Sequence, residues 1–193
     1  MRKHILVING NPKPDSFCRS LAESYARGAS ERGHHVETVH LAELRFDPSL
    51  WHGYDQRQEL EPDLLALKQQ ILAAQHLVFA YPIWWGGMPS LMKGMFDRLF
   101  LPGIAFRYHD GSNTRWERLL AGRSAQLLVS MDTPPWYFRW IYRMPGIHQM
   151  RRTILEFCGV KPVRVATFGA IRGADDQRLK RWLHDAQMLG ARA

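Results

Sequence analysis

Within its first 41 residues the chain switches twice between two kinds of hydrophobic periodicity, and this constrains its fold more than any other feature. Residues 4–9 (HILVIN) form a short β-branched apolar run, the pattern of a strand buried on both faces. A turn-rich loop follows, Gly10-Asn11-Pro12-Lys13-Pro14-Asp15. Ser16 or Asp15 is a suitable helix N-cap, because its side-chain oxygen can accept from a leading backbone N–H. Leu21, Ala22, Tyr25 and Ala29 then recur at helical spacing, and Gly33 is a natural stop. Residues 35–41 (HVETVHL) alternate as a second strand. Strand, helix and strand in this order make a βαβ unit, whose strands lie parallel in one sheet.

The remainder repeats the pattern. Residues 42–61 are a polar connection with Pro48, Trp51 and Gly53. Pro62 opens a helix to about residue 74, with Leu64, Leu65, Leu67 and Ile71 as its apolar face. Residues 77–80 (LVFA) are a third buried strand, and a helix is expected over about 89–99. Residues 126–130 (QLLVS) give a fourth strand, and 132–147 are a long excursion rich in Pro and aromatics. Residues 151–157 read as a helix, 162–168 as a fifth strand, and 176–189 as a final helix. The expected fold class is α/β: a three-layer α-β-α sandwich around a five-stranded parallel sheet, in a single domain over 1–193. In a 2-1-3-4-5 strand order the ligand crevice lies beyond the carboxyl ends of strands one and three, where the order reverses. That directs attention to loops 9–18, 81–89 and 131–148.

Composition narrows the function classes. Apolar residues make up 46% and charged residues 23% of the 193, which suits a packed core and not disorder. The apolar N-terminal run stops at Asn9-Gly10 and lacks a small-residue cleavage site, so it reads as a strand and not a signal peptide. No run reaches the roughly 20 apolar residues of a membrane span, and a cytoplasmic location is expected. Cys18 and Cys158 form no CxxC pair, so no metal site is expected. Net charge is +8 and lopsided: residues 1–138 carry 15 Lys/Arg against 14 Asp/Glu, whereas 139–193 carry 11 against 4. A solvated basic face explains this, and so does attraction of a polyanion. The basic residues are scattered and no zinc-finger, RNP or helix-turn-helix signature accompanies them, so no nucleic-acid partner is expected.

Each loop admits a functional and a structural account. Loop 9–18 runs from a strand into a helix N-terminus, a ready anion site that Ser16 and Lys13 would reinforce. It matches neither the Walker A nor the GxGxxG pattern, and an ordinary capped helix accounts for it equally well. In loop 81–89, Trp84-Trp85 lies between Pro82-Ile83 and Gly86-Gly87. Flat apolar walls and close backbone approach suit a flat cofactor; the alternative is an aromatic cover on the sheet edge. Loop 131–148 holds Asp132, Thr133, Tyr142 and His148 among several other aromatics. A tyrosine hydroxyl and an imidazole can supply protons as charge develops. A lid or a dimer contact is the other account.

Three segments resemble the NAD(P)H:quinone oxidoreductase family of flavodoxin-like flavoenzymes, which includes bacterial members that assist potassium-efflux systems. Pro14-Asp15-Ser16-Phe17-Cys18 is similar to the Ser-Phe-Asn stretch at the flavin phosphates. The run from Phe79 through Tyr81-Pro82-Ile83-Trp84-Trp85-Gly86-Gly87-Met88-Pro89 to Phe100 is similar to the pattern P-[LM]-x-W…P…LK-x-[WF]-x-[DE]-[RK]-V-F, and it is the most specific match. Tyr142 with Gly146-Ile147-His148 resembles the Tyr…Gly-Ile-His segment that assists hydride transfer, and similarity continues through Gly159. The resemblance implies that Asn11, Ser16, Phe17 and Cys18 hold the flavin phosphates. It implies that Pro82, Ile83, Trp84, Trp85 and Gly86 line the ring together with Thr133, and that Tyr142 and His148 are catalytic. It further implies FAD, with FMN as the alternative, NADPH or NADH as reductant, a small quinone-like acceptor (or a nitro or azo compound) reduced in ping-pong fashion, and a homodimer.

The chain departs from the family at Asn11, where His is frequent, and at Cys18, where Asn is frequent. Asp132-Thr133-Pro134-Pro135 replaces a Thr-Thr-Gly-Gly loop, and two prolines remove backbone donors. Two other readings stand beside the enzyme. One is a flavodoxin-like electron carrier, which the basic charge disfavours. The other is a flavin- or nucleotide-binding regulatory subunit in peripheral contact with a membrane or transporter.

Overall fold

The computed structural model describes residues 2–109 and 114–193. Among the described residues seven strands form: β1 (His4–Asn9), β2 (His35–His40), β3 (His76–Pro82), β4 (Phe106–Tyr108), β5 (Trp116–Arg118), β6 (Ser124–Met131) and β7 (Val163–Gly169). Six α-helices accompany them: α1 (Phe17–Glu31), α2 (Pro62–Ala73), α3 (Ser90–Leu99), α4 (Pro135–Trp140), α5 (Pro145–His148) and α6 (Asp176–Gly190). Five strands make one parallel sheet in the order β2-β1-β3-β6-β7, which is the expected 2-1-3-4-5 order.

The continuous apolar runs are explained by burial on both faces of this sheet. Along β1, Leu6 and Ile8 join a core with Leu64, Leu67 and Ile71 of α2 and Met92 and Met95 of α3. Ile5 and Val7 point the other way, onto Leu21 and Tyr25 of α1 and Ala186 of α6. β3 alternates likewise, with Leu77 and Phe79 on the first face and Val78 and Ala80 on the second. Gly28 lets α1 and α6 approach closely, since a Cβ there would overlap the Gln187 carbonyl oxygen.

The structure adds elements that periodicity did not indicate. β4 and β5 pair antiparallel as a separate two-stranded sheet, each strand only three residues long. The excursion at 132–147 is partly helical: Pro135 opens α4 and Pro145 opens α5. A proline loses nothing at a helix's first position, because that N–H has no intrahelical acceptor. The helix expected over 151–157 begins earlier, with α5 leading into a π-helical stretch, Gln149–Glu156. Thr153 donates its hydroxyl to the Gln149 carbonyl there, a side-chain bond that competes with the α-helical ladder.

Connection 42–61 is anchored from beneath by Arg98 of α3, which is 1% exposed. Its guanidinium donates to the carbonyls of Asp47 and Glu59 and to both carboxylate oxygens of Glu61. This arginine belongs to the most specific motif of the chain, yet it acts as a tether for a loop. Among the described residues no helix is long and apolar enough to cross a membrane.

Candidate functional site

Loop 9–18 turns sharply out of β1. The amide of Gly10 donates to Ala80 of the neighbouring strand at 2.8 Å. Asn9 Oδ1 accepts from the Asn11 amide, and Asn11 Oδ1 accepts from the Lys13 amide, so two successive side chains replace ladder partners. Ser16 is the N-cap of α1, and its hydroxyl accepts from the Arg19 amide at 3.3 Å. Phe17 and Cys18, the first two helical residues, have N–H groups without intrahelical acceptors, at the positive end of the helix dipole.

Cys18 is 1% exposed and its Sγ lies 3.0 Å from Ser130 Oγ, near the end of β6. Burial pushes the thiol up, against the opposing hydrogen bonds to Ser130 and Asn11, so it stays protonated. The pair fixes the start of α1 onto the central sheet.

Loop 81–89 is a tight hairpin turn. Ile83 donates to Ser130 at 2.8 Å, carrying β3 one residue past its strand. Trp84 and Gly87 exchange both backbone hydrogen bonds, at 2.9 and 3.0 Å. Trp85 and Gly86 between them have φ of +50° and +83°, the double left-handed conformation of a two-residue hairpin turn. Glycine adopts this freely; a tryptophan does so at a cost of about 1–2 kcal/mol. The same tryptophan is fully exposed. A strained, solvated indole marks a place where the side chain is wanted for something outside this chain's own core. The turn rests on α5: a Cβ at Gly146 would overlap the Gly86 carbonyl oxygen.

These pieces enclose a crevice of about 380 Å³ at the carboxyl ends of the strands, at the reversal of strand order. Of the residues singled out from the sequence, Asn11, Ser16, Phe17, Cys18, Pro82, Ile83, Trp84 and Thr133 all line it. Trp85, Gly86 and His148 line an adjoining, more open hollow of about 650 Å³, together with Pro145 and Arg152. Tyr142 lines neither; its ring packs edge-on against Tyr137 and Phe138, and it remains half-exposed. Asp132 also lines the crevice, and its carboxylate accepts from the Arg172 amide at 3.0 Å.

Ser130 is a contributor that the sequence reading passed over. It ends a strand that reads as core, and only the sheet pairing shows its hydroxyl facing Cys18. A flavin fits the donor set of the crevice. Its anionic end matches the α1 N-terminus and the Ser16 cap, and its flat ring matches the wall of Pro82, Ile83 and Trp84.

Such a sheet with such a crevice defines a flavodoxin-like protein. The chain belongs to the family with the flavodoxin-like fold, whose profile matches residues 3–188. Its relatives bear out the resemblance to NAD(P)H:quinone oxidoreductases. It is 37% identical over 185 residues to a rat NAD(P)H dehydrogenase [quinone] 1, covering 81% of this chain and 65% of that protein. It is 25% identical over 181 residues to an uncharacterized NAD(P)H oxidoreductase of Haemophilus influenzae, covering 92% and 88%. A solved Streptococcus mutans structure superimposes with a TM-score of 0.84 at 26% identity, over 98% of this chain and 100% of that one.

Proposed function

We propose that the protein is a flavin-dependent NAD(P)H oxidoreductase that passes two electrons to quinones or related small acceptors. One observation carries this reading: the phosphate-suited N-terminus of α1 and the flat wall at Pro82–Trp84 open into the same crevice. When bound, the flavin supplies the capacity to accept a hydride and to return two electrons.

The chain's residues do the rest. The N–H groups of Phe17 and Cys18, with Ser16, hold the phosphates. Pro82, Ile83 and Trp84 would line the ring and limit its contact with water, with Thr133 on the β6 side of the crevice. His148, in the adjoining hollow beside Trp85, places an imidazole where charge changes during transfer. Tyr142 stands outside both linings, against Tyr137 and Phe138, and would reach the reacting groups only by moving. Nicotinamide and acceptor use the hollow in turn, which makes the kinetics ping-pong. Ser16-Phe17 resembles the corresponding stretch of the FAD-using members of the family, which favours FAD over FMN.

Trp85, Trp136, Trp140, Ile141 and Tyr142 are all exposed, and Trp85 lines the hollow. A second copy covering them makes a homodimer and encloses the site. Sedimentation would test this: a monomer at micromolar concentration removes the dimer from the proposal.

The purified protein should carry yellow flavin absorption that bleaches with anaerobic NADPH or NADH, and extraction should release FAD. Colourless protein that cannot be reconstituted with either flavin would leave the fold and remove the enzyme. A strongly populated semiquinone on dithionite titration would instead favour the electron carrier. His148→Gln should slow flavin reduction by about 10–100-fold. Tyr142→Phe, outside the hollow lining, should do less. Unchanged stopped-flow rates in both variants would exclude them from the reaction.

A further inference from the structure

The opposite end of the sheet holds a cluster that the redox reading does not use. His4 opens β1 and His35 opens the edge strand β2, and the two are register partners in the parallel ladder. Glu37 lies two residues beyond His35, on the same face of β2. The three side chains converge: one ligand atom from each lies within 4.8 Å of the others. His4 Nε2 is 2.7 Å from Glu37 Oε1, and the rings of His4 and His35 meet edge-on with centroids 4.6 Å apart.

We propose that His4, His35 and Glu37 form a binding site for one borderline divalent cation of the zinc class, clipping the edge strand β2 to β1. Two imidazoles and a carboxylate make a donor set for Zn(II), Co(II) or Ni(II), and a harder ion such as Mg(II) or Ca(II) prefers oxygen ligands. Tetrahedral ligands at about 2.1 Å from a metal lie about 3.4 Å apart. The present separations need only small side-chain rotations, and these side chains are exposed or half-buried, so they are free to make them.

The backbone beneath them is fixed. Neighbouring strands hold the Cα positions, and the His4 amide donates to Gln75 Oε1 at 3.0 Å. Gln70 Nε2 of α2 donates to Glu37 Oε2 at 2.7 Å, which orients the carboxylate with Oε1 toward His4, where an ion would replace the His4–Glu37 hydrogen bond. Outer partners of this kind are what hold metal-ligating carboxylates in place. Three protein ligands leave a fourth position open to water. Because the site lies at the amino ends of the strands, it is remote from the crevice and does not depend on the proposed flavin chemistry.

The test uses untagged full-length protein, stripped with a chelator and titrated with Co(II). One equivalent should bind, giving visible d–d absorption to the red of any flavin bands, and Zn(II) should displace it. Zinc at about a hundred times its Kd should raise the thermal midpoint by on the order of 5 °C. His35→Ala and Glu37→Gln should each weaken Co(II) binding about tenfold or more. His34→Ala, beside the cluster but outside it, should leave binding unchanged. His35 is exposed and the glutamine keeps the shape of Glu37, so circular dichroism should show both variants folded; if one is not, the other decides. Saturation only at millimolar Co(II), or binding undiminished in the folded variants, would overturn the proposal. NADPH oxidation should be insensitive to the metal, which separates this result from the fate of the redox reading.

Discussion

The two ends of the parallel sheet are built on opposite rules. At the amino ends, a buried histidine is paired on both sides. His76 is 6% exposed, and its imidazole bridges the Tyr25 hydroxyl at 2.9 Å and the Ser124 hydroxyl at 2.7 Å. At the carboxyl ends, a tryptophan sits in a left-handed turn with its ring in water, and aromatics crowd the surface beyond it. The first end spends its polar residues on holding strands together. The second tolerates strain and exposed apolar area, which a molecule built only for its own stability would bury. The proposed redox site lies at the second.

Four substitutions or conditions would break or sharpen this contrast. The largest effect is expected at the tether of the β2–α2 connection. Arg98→Leu removes donors from two carbonyls and from Glu61, and should cost about 3 kcal/mol in urea unfolding. A loss under about 1 kcal/mol would show that the connection holds itself.

The second tests the amino end. Burial lowers the His76 pKa from 6.5 to about 4 in the folded chain, so the unfolded chain takes up the proton first. Its contribution is complete above about pH 6.5 and is lost as pH falls toward 4. Between about pH 7.5 and about pH 4.5 the loss should be about 2 to 3 kcal/mol. His76→Gln should flatten that dependence; an unchanged slope would assign it to other groups.

The third and fourth concern the carboxyl end and have opposite signs. Gly146→Ala forces a methyl group onto the Gly86 carbonyl and should destabilise by about 2 kcal/mol through overpacking. Trp85→Gly relieves the left-handed tryptophan and should stabilise by about 1 kcal/mol, while slowing turnover with NAD(P)H. A variant that gains stability and keeps full activity would mean that the strain serves no reaction.

Much of this was legible in the sequence because it is written locally. Alternating apolar runs announce buried strands, and Ser16 before a helical pattern announces a cap. Residues 9–18 and 81–89 carry their own turn chemistry, so the place of the crevice is legible in the sequence. The third loop was read less well. Pro134-Pro135 looks like lost donors from the sequence, and in the fold Pro135 opens a short helix. Tyr142 and His148 stand six residues apart, yet only His148 lines the hollow; between them Arg143 and Met144 both have positive φ, which turns the chain.

The sequence by itself determined the order of elements, the doubly buried sheet and the loops at its reversal point. These follow from periodicity and capping, which act over a few residues. Tertiary structure decided what distant residues do together: Ser130 on Cys18, Arg98 under connection 42–61, Gly146 behind the Trp85 turn, and His4 beside His35 and Glu37. Those contacts depend on strand register and on close packing between elements far apart in the chain, and no local pattern encodes either.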